Sequence, residues 1–398
     1  MSSTPAVYIV GAARTPIGKF LGSLSTLKAS DLGAVALREA LRRAGVDGKG
    51  VDEVIMGHVV QGGSGQAPAR QAQVKAGIDP AIGAYTVNKV CGSGLKAVML
   101  GAQAIKAGDA ECIAAGGQES MSSVPHYLFS GRLGTRLGDA TLKDGAVSDG
   151  LWCAFNDCHM IELAQYTAEK AKLTRQRLDE FSVASQKKAA AAQASGAFDR
   201  EMAAVTIPQR KGDPVVVNKD ESVRGDTTLE ALGKLGPVTK AKDGMITAGN
   251  APGLNDGAAA VVLMSEARVK ATGAKPLARI TGYATGGGEP KELFFAPIVA
   301  VQKLMQQMGV GIGHFDLIEA NEAFAAQALA DGDALGWDWD RVNVNGGAVA
   351  LGHPIGASGA RILATLLYAL DARGKSTGLA TLCLGGGNAV ALAVERVR

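Results

Sequence analysis

Short apolar segments alternate with helical segments near both ends of the chain, and this alternation restricts the fold more than any other feature. Strands are predicted at Ala6–Val10, Val54–Val60, Ala84–Val90, Glu111–Ala115, Ala258–Met264, Leu277–Thr285, Phe315–Glu319, Val342–Val344, Gly378–Leu384 and Asn388–Arg396. Helices are predicted from Ser30-Asp31 to Gly45 and over Gln66–Ala76, Gly92–Ala107, Pro297–Met308, Phe324–Ala330 and Ser358–Leu370. Helices that separate strands are typical of parallel βαβ units, so we expect an α/β fold.

The stretch of residues 120–248 has a different pattern. Ser130–Asp149 is rich in Gly, Arg and Asp, and two helical segments follow at His159–Lys172 and Arg175–Ser195. A polar stretch with three prolines comes next. We interpret the whole region as an insertion outside the main sheet.

The two parts that flank this insertion resemble each other. A Gly-rich turn, a helix and a strand that ends in glycines follow Cys91, and the same series follows His353. The order and spacing are similar in both places. The pattern therefore indicates a duplicated unit.

Composition and charge exclude several classes of function. The 41 Lys and Arg residues against 38 Asp and Glu residues give a net charge of +3, with no run of five basic residues, which argues against nucleic-acid binding. The first residues do not have the pattern of an export signal, and the uncharged stretch Val342–Ala360 is broken by Gly, Asn, His and Pro, so no membrane span is predicted. The five cysteines are expected to be reduced thiols in the cytoplasm.

Cys91 follows a predicted strand and precedes a predicted helix, in the run Asn88–Leu95. The start of a helix offers free N–H groups and a partial positive charge, which stabilise a thiolate. This context suits a nucleophile, whereas a lone cysteine is more often a small buried apolar residue. From the residues alone, the two interpretations have similar weight.

Two more candidates lie in Gly-rich turns. His353, which precedes Pro354, is suited to accept a proton from a thiol and then to donate to a developing oxyanion. Cys383 ends a predicted strand just before Gly385–Gly387, whose N–H groups could bind an anion. Zinc binding by these residues is disfavoured because they lie far apart and no C-x-x-C pair exists. The other histidines, His58, His126, His159 and His314, are interpreted as structural.

Asn321 lies between a predicted strand and a predicted helix. Its amide could position a water molecule, but a helix cap is the favoured interpretation from its spacing.

Together these blocks resemble the thiolase family, and within it the acetyl-CoA acetyltransferases. The matching residues, in family order, are Arg14–Gly18, the Cys91 run, Gly116–Met121, Asn250 with Asn255–Gly257, Asn321–Phe324, Gly352–Gly356, and Cys383 with the glycines that follow it. The resemblance covers essentially the whole chain. It implies a duplicated thiolase-type βαβ core, with two similar halves, mixed sheets with helices between them, and an inserted loop domain. The implied domains are 1–120 (N-terminal half), 121–248 (loop domain), 249–273 (completing the N-terminal half) and 274–398 (C-terminal half).

The resemblance also implies a reaction. Two molecules of acetyl-CoA would condense reversibly to acetoacetyl-CoA and CoA, or a 3-ketoacyl-CoA would undergo thiolysis, through an acyl group on Cys91. His353 would activate Cys91, and Cys383 would remove or return the proton at the α-carbon of the second substrate. Asn321 would hold a water in one oxyanion hole, and the N–H groups of Cys91 and Gly385 would form the other. The family implies CoA thioesters as substrates, no further cofactor, no metal, no nucleic-acid or membrane partner, and a homotetramer that is a dimer of dimers.

Contacts with coenzyme A are implied for Leu151, His159, Met160, Arg224, Ala248, Pro252, Ala323 and Phe324. Some residues depart from the family pattern. Ile161-Glu162 stands where glycine is usual, Pro252 replaces a serine, Leu293–Pro297 brings two large rings where small residues are usual, and Asn388-Ala389 ends the last glycine run.

Two interpretations of these departures are open. Either the preference has shifted towards longer or branched 3-ketoacyl-CoA, or the rings pack elsewhere and acetoacetyl-CoA remains the substrate. A thiolase-like protein that binds acyl-CoA without condensing it is a further alternative, but retention of Cys91, His353 and Cys383 argues against it. A ketoacyl synthase would need a second histidine where Cys383 stands. The sequence leaves the physiological direction open.

Overall fold

The computed structural model describes residues 5–397; residues 1–4 and 398, at the outer ends of the first and last predicted domains, lie outside the described residues. The strands are β1 (Val7–Arg14), β2 (Gly18–Lys19), β3 (Glu53–Gly57), β4 (Gly83–Val87), β5 (Cys112–Ser120), β6 (His126–Tyr127), β7 (Lys143–Asp144), β8 (Trp152–Cys153), β9 (Cys158–His159), β10 (Val205–Ile207), β11 (Val215–Val217), β12 (Asn255–Ser265), β13 (Ala278–Gly287), β14 (Leu317–Ala320), β15 (Thr377–Leu384) and β16 (Asn388–Arg396). The α-helices are α1 (Ala29–Ala44), α2 (Pro68–Ala76), α3 (Ser93–Ala107), α4 (Met160–Lys170), α5 (Arg175–Ala194), α6 (Leu229–Gly233), α7 (Glu266–Thr272), α8 (Ala296–Met308), α9 (Ala325–Leu335), α10 (Ala348–Leu351) and α11 (Ser358–Ala372).

One continuous sheet runs through the molecule, in the order β14, β15, β16, β13, β1, β12, β5, β3 and β4, with β2 beside the start of β12. In the N-terminal half, β1 is antiparallel to β12, β12 is antiparallel to β5, and β5, β3 and β4 are parallel. The C-terminal half repeats this arrangement with β13, β16, β15 and β14. The halves meet where β1 and β13 pair at two positions. The duplication indicated by the sequence is therefore a repeated strand order.

Both halves also contain the same irregularity in their first strand. The pairing register shifts at Gly11 in β1 and at Gly282 in β13. A Cβ atom at Gly11 would lie 2.9 Å from the Cβ of Ala44 in α1, and one at Gly282 would lie 2.9 Å from the side chain of Leu304 in α8. Glycine at each bulge thus lets a helix pack directly onto the sheet.

Helices α3 and α11 are the corresponding helices of the two halves, and they pack against each other at their first turns. A Cβ at Gly94 would lie 2.9 Å from the backbone nitrogen of Ala360, and one at Gly359 would lie 2.5 Å from that of Leu95. Only glycine allows so close an approach. The contact brings together the two helix starts that follow Cys91 and His353.

The insertion between β5 and β12 contains α4, α5 and α6 and three separate two-stranded sheets, β6–β7, β8–β9 and β10–β11. An apolar cluster joins it to the C-terminal half: Leu163 and Ala164 of α4 pack with Phe294, and with Ala325 and Leu329 of α9. The same cluster includes Cys383, so the insertion packs over the ends of the strands near which the candidate residues lie.

Two predicted elements need correction. Helix α1 begins directly after Lys28, not at Ser30-Asp31, because Asp31 lies in the first turn and its carboxylate accepts a hydrogen bond from the Lys28 N–H at 3.0 Å. The predicted strand Val342–Val344 is wrong. Only Val342 pairs, through one parallel bridge to β14, because Asn343 has a left-handed backbone (φ 45°) that ends the extended segment.

Candidate active site

Cys91 lies just before α3 in a constrained turn. Val90, which precedes it, has a φ of 47°, a left-handed conformation that a β-branched residue rarely adopts. The Ser93 hydroxyl donates to the Val90 carbonyl at 2.6 Å and accepts from the Lys89 N–H at 2.8 Å. Strain of this kind costs about 1–3 kcal/mol and persists only where the surroundings impose it. The turn therefore holds Cys91 in one position.

The thiol of Cys91 is a neutral group in the free protein. Burial raises its pKa to about 12, because the thiolate would lose its solvation, although the N–H groups of Gly385 and of Cys91 itself oppose this shift. The expectation that the helix start would favour the thiolate is thus outweighed by burial. The thiol needs a base to remove its proton when it attacks.

His353 is 7% exposed and is held from both its backbone and its ring. Its N–H donates to the Oδ1 of Asn255 at 2.9 Å, and its Nδ1 lies 2.6 Å from the Ser358 hydroxyl. That hydroxyl donates its one hydrogen to the Pro354 carbonyl at 2.9 Å. Both contacts are hydrogen bonds if the ring donates from Nδ1, and Nε2 is then free to accept a proton.

Electrostatics keep the His353 ring neutral. Burial, together with the positive charge of Arg361, lowers the pKa of His353 to about 3. Arg361 is itself buried, with Nη1 3.6 Å from the Glu319 carboxylate, whose pKa burial raises to about 8. The lowered pKa leaves a ring nitrogen unprotonated and able to accept a proton at neutral pH, and it also makes the ring a weak base in the free protein.

Asn321 follows β14, and its amide faces His353. Its Nδ2 lies 3.5 Å from both ring nitrogens, while its buried Oδ1 has no hydrogen-bond partner in the described part of the chain. The favoured interpretation of Asn321 as a helix cap is wrong, because α9 begins four residues later and Phe324 takes the capping position. Asn321 is fully buried, and its amide instead faces the His353 ring.

Cys383 ends β15 and is 1% exposed. Burial and the neighbouring Cys91 thiol raise its pKa well above the usual range. The chain then turns sharply through Gly386 and Gly387, with φ values of 80° and 83° that only glycine adopts readily. This turn brings the Gly385 N–H next to Cys91.

Cys91, His353, Cys383 and Gly385 line one cavity of about 310 Å³. Six of the eight residues predicted to contact coenzyme A line the same cavity: Leu151, His159, Met160, Pro252, Ala323 and Phe324. The remaining two, Arg224 and Ala248, line an adjoining groove of about 340 Å³. The segment Ala251–Leu254 lines both spaces. Apart from Asn321, which lines neither space, the fold thus gathers the candidate residues into a reaction cavity with a polar entrance groove.

The unusual residues of this site differ in where they point. Phe294 is buried, lines the cavity and packs edge-to-face on Phe324, with ring centroids 5.3 Å apart. The ring of Phe295 lies outside the cavity, 5.4 Å from the Lys170 ammonium. Ile161 lines the cavity wall, and its N–H donates to Nδ1 of His159 at 3.1 Å. One of the two rings therefore narrows the site.

Other motif residues support the site without lining it, and sequence reasoning assigned them no role. The Glu119 carboxylate accepts hydrogen bonds from the N–H groups of Val59 at 3.1 Å and of Gly356 at 2.9 Å, and lies 3.1 Å from Nε2 of His58. Asn255 holds the His353 backbone, and Ser358 orients the ring. In the sequence, each of them is a polar residue inside or next to a motif whose other residues are mostly apolar or glycine.

Within residues 5–397, no group of three or more His, Cys, Asp or Glu side chains is arranged to hold a metal ion. Likewise, none of the helices in that range is both long and apolar enough to cross a membrane.

Comparison with known proteins gives a consistent result. Residues 7–267 match the family described as Thiolase, N-terminal domain, and residues 274–396 match Thiolase, C-terminal domain. The chain is 54% identical to the acetyl-CoA acetyltransferase of Pseudomonas aeruginosa and 55% identical to that of Cupriavidus necator, each over 98% of this chain and 99% of the relative. A crystal structure of the Bacillus anthracis acetyl-CoA acetyltransferase is similar with a TM-score of 0.97 and 42% identity, over 100% of both chains.

Proposed function

The chain belongs to the thiolase family, and we propose that it catalyses the reversible condensation of two acetyl-CoA molecules to acetoacetyl-CoA and CoA. The assignment of roles rests on one observation: two thiols, an imidazole and the Gly385 backbone line a single buried cavity. Relatives at 54% and 55% identity are named acetyl-CoA acetyltransferases, which supports acetyl-CoA as the substrate. It is thus an acyltransferase whose substrates are CoA thioesters.

In the first step, Cys91 takes the acyl group. Nε2 of His353 accepts the thiol proton while the sulfur attacks the thioester carbonyl, and the carbonyl oxygen becomes an oxyanion. The N–H groups of Cys91 and Gly385, which already lie near the sulfur, are the donors for that charge. The CoA sulfur then leaves as a thiolate and takes the proton of the Cys383 thiol, which becomes a thiolate, while the proton from Cys91 stays on His353. Acyl-Cys91 and free CoA result.

In the second step, Cys383 removes a proton from the α-carbon of the next acetyl-CoA. The high pKa of its buried thiol means that its thiolate, once formed, is a strong base. The enolate oxygen faces Asn321 and His353, and the carbanion attacks acyl-Cys91 to form acetoacetyl-CoA. The Cys91 sulfur leaves as a thiolate and regains its proton from His353. In thiolysis, the Cys383 thiol returns the proton to the leaving acetyl group.

We assign different parts of the substrate to the cavity and to the groove. The cavity is mostly apolar and suits an acyl chain and the end of the pantetheine arm, whereas the groove contains the Arg224 guanidinium, a partner for phosphate. Pro252 lies where they join and provides neither a hydroxyl nor an N–H to the arm. We further propose that the protein works in the cytoplasm as a homotetramer, without a cofactor or metal of its own.

A second candidate is a thiolase for longer or branched 3-ketoacyl-CoA. The position of the Phe294 ring is the observation that distinguishes this candidate from the first. Because its ring is packed between the cavity and Phe324, it reduces the room beside Cys383 and favours the short acyl group. We therefore rank acetoacetyl-CoA first.

The test is thiolysis of acetoacetyl-CoA by the wild-type protein and by Cys91→Ala, with mass spectrometry of the protein after reaction with acetyl-CoA. We expect turnover and an acetyl group on Cys91 in the wild type, and neither in the variant. Cys112→Ala is the matched control, since Cys112 is buried at the start of β5, outside the cavity. An adduct without turnover would favour the longer or branched substrates, and no adduct with any acyl-CoA would favour a binding protein.

A further inference from the structure

Two cysteines that the reaction does not use face each other across a hairpin. Strands β8 and β9 are antiparallel, and Cys153 is the direct register partner of Cys158. Opposed residues in such a pair have Cα atoms about 4.5–5.5 Å apart, which lies within the range of about 4.4–6.8 Å found across disulfides. The backbone therefore places the two cysteines within the Cα separation that a disulfide spans.

The two thiols differ in access. Both are free, Cys153 is 2% exposed, and Cys158 is half-buried. The Sγ of Cys153 accepts a hydrogen bond from the Asn156 amide at 3.2 Å. Burial and the nearby Cys153 raise the pKa of Cys158, as do the carboxylates of Glu162 and Asp157, while the Lys240 ammonium opposes them.

We propose that Cys153 and Cys158 are a redox-sensitive dithiol that closes to an intramolecular disulfide by exchange with a small disulfide such as oxidised glutathione. The more accessible Cys158 loses its proton and attacks one sulfur of the oxidant, which releases one glutathione thiolate. The Cys153 thiolate then attacks the sulfur of Cys158 and releases the second glutathione. Two protein thiols are oxidised, one small disulfide is reduced, and the two protons pass to the released thiolates.

The hairpin lies beside the reaction cavity, so a disulfide between Cys153 and Cys158 would affect residues that line this cavity. His159 and Met160, which directly follow Cys158, line the cavity, and α4 starts there. At the hairpin tip, the ring of Phe155 comes within 3.2 Å of the point that a Cβ at Gly386 would occupy. Closing the disulfide fixes the start of α4 while leaving Cys91, His353 and Cys383 chemically unchanged.

The test is to equilibrate the full-length protein with reduced and oxidised glutathione in varied ratios, quench with acid, alkylate free thiols and digest with trypsin. Cleavage after Lys143 and Lys170 leaves both cysteines in one peptide, residues 144–170, which contains neither of the thiols assigned to catalysis. As the buffer becomes more oxidising, we expect this peptide to lose two hydrogen atoms and to take up no alkyl group.

Single variants separate the two steps. Cys153→Ser should retain glutathione on Cys158 as a mixed disulfide, because the second attack cannot occur, whereas Cys112→Ser should still close the bond. If the peptide remains doubly alkylated at every ratio, or if oxidation appears only between Cys91 and Cys383, the proposal is overturned. The readout is a covalent bond outside the reaction cavity, so it does not depend on whether the proposed acyl transfer is correct.

Discussion

The Nδ1 atom of His353 lies 2.6 Å from the Ser358 hydroxyl, and that hydroxyl lies 2.9 Å from the Pro354 carbonyl oxygen. Both contacts are hydrogen bonds when the hydroxyl donates to the carbonyl and the ring donates from Nδ1, in the tautomer that leaves Nε2 unprotonated. We therefore predict that Ser358 is a positioning residue for the proposed acylation step.

Replacing Ser358 by alanine tests this role. We expect kcat for acylation to fall by about 2- to 13-fold, the kinetic equivalent of about 0.5–1.5 kcal/mol for one hydrogen bond, with little change in KM. Stopped-flow release of CoA measures the acylation rate. Ser195→Ala is a matched control, since that hydroxyl bonds only the Ala192 carbonyl at the end of α5. A rise in KM with unchanged kcat would contradict a positioning role.

His353 should make the stability of the fold depend on pH. Its pKa is about 3 in the folded protein and near 6.5 when unfolded, so below pH 6.5 the unfolded chain binds the additional proton. The contribution of the neutral ring is present above pH 6.5 and is lost as the pH falls towards 3, with a slope of up to about 1.4 kcal/mol per pH unit.

Urea unfolding of the wild type and of His353→Gln over this range measures the difference. We expect the free energy of unfolding of the variant to fall less steeply on acidification. The matched control is His314→Gln, because His314 is exposed and remote from the site. Parallel curves for the wild type and His353→Gln would show that His353 is not held neutral by the fold.

Phe294 should set the upper size of the acyl group. In Phe294→Leu, the cavity gains room beside Cys383 while the position stays apolar, so the ratio of kcat/KM for a longer 3-ketoacyl-CoA to that for acetoacetyl-CoA should rise roughly 10-fold. Phe295→Leu is the neighbouring control and should leave the ratio unchanged, because that ring points away towards Lys170. If Phe294→Leu and Phe295→Leu gave the same ratio of kcat/KM values, Phe294 would not determine the size of the acyl group.

Pro252→Ser should improve binding of the substrate arm. The change supplies a hydroxyl and an N–H where the reaction cavity joins the entrance groove. One added hydrogen bond lowers KM for acetyl-CoA by about 2- to 13-fold, with kcat nearly unchanged. Pro237→Ser, at an exposed position in the same insertion, controls for the general effect of losing a proline. An unchanged KM would mean that the arm does not contact this position.

The sequence was sufficient to predict the repeated βαβ pattern and most of the candidate residues that line the cavity. Periodicity and glycine positions depend on local rules, so most strands and helices lie within a few residues of their predicted ends. The missed cases are informative. Val342–Val344 is apolar enough for a strand, but the left-handed backbone of Asn343 ends its pairing. Asn321 has the spacing of a cap, but its amide faces His353, which lies in the turn between α10 and α11.

Residue types and their order establish which groups are available: two thiols, an imidazole, an amide and glycine-rich turns, all in the order of one family. Packing between distant segments establishes the protonation and surroundings of those groups. Burial keeps Cys91 a neutral thiol, burial and the Arg361 charge keep His353 neutral, and the path of the chain directs Phe294 into the cavity and Phe295 away from it. Burial, tautomer and cavity shape depend on contacts between residues far apart in the chain, and no local pattern in the sequence encodes them.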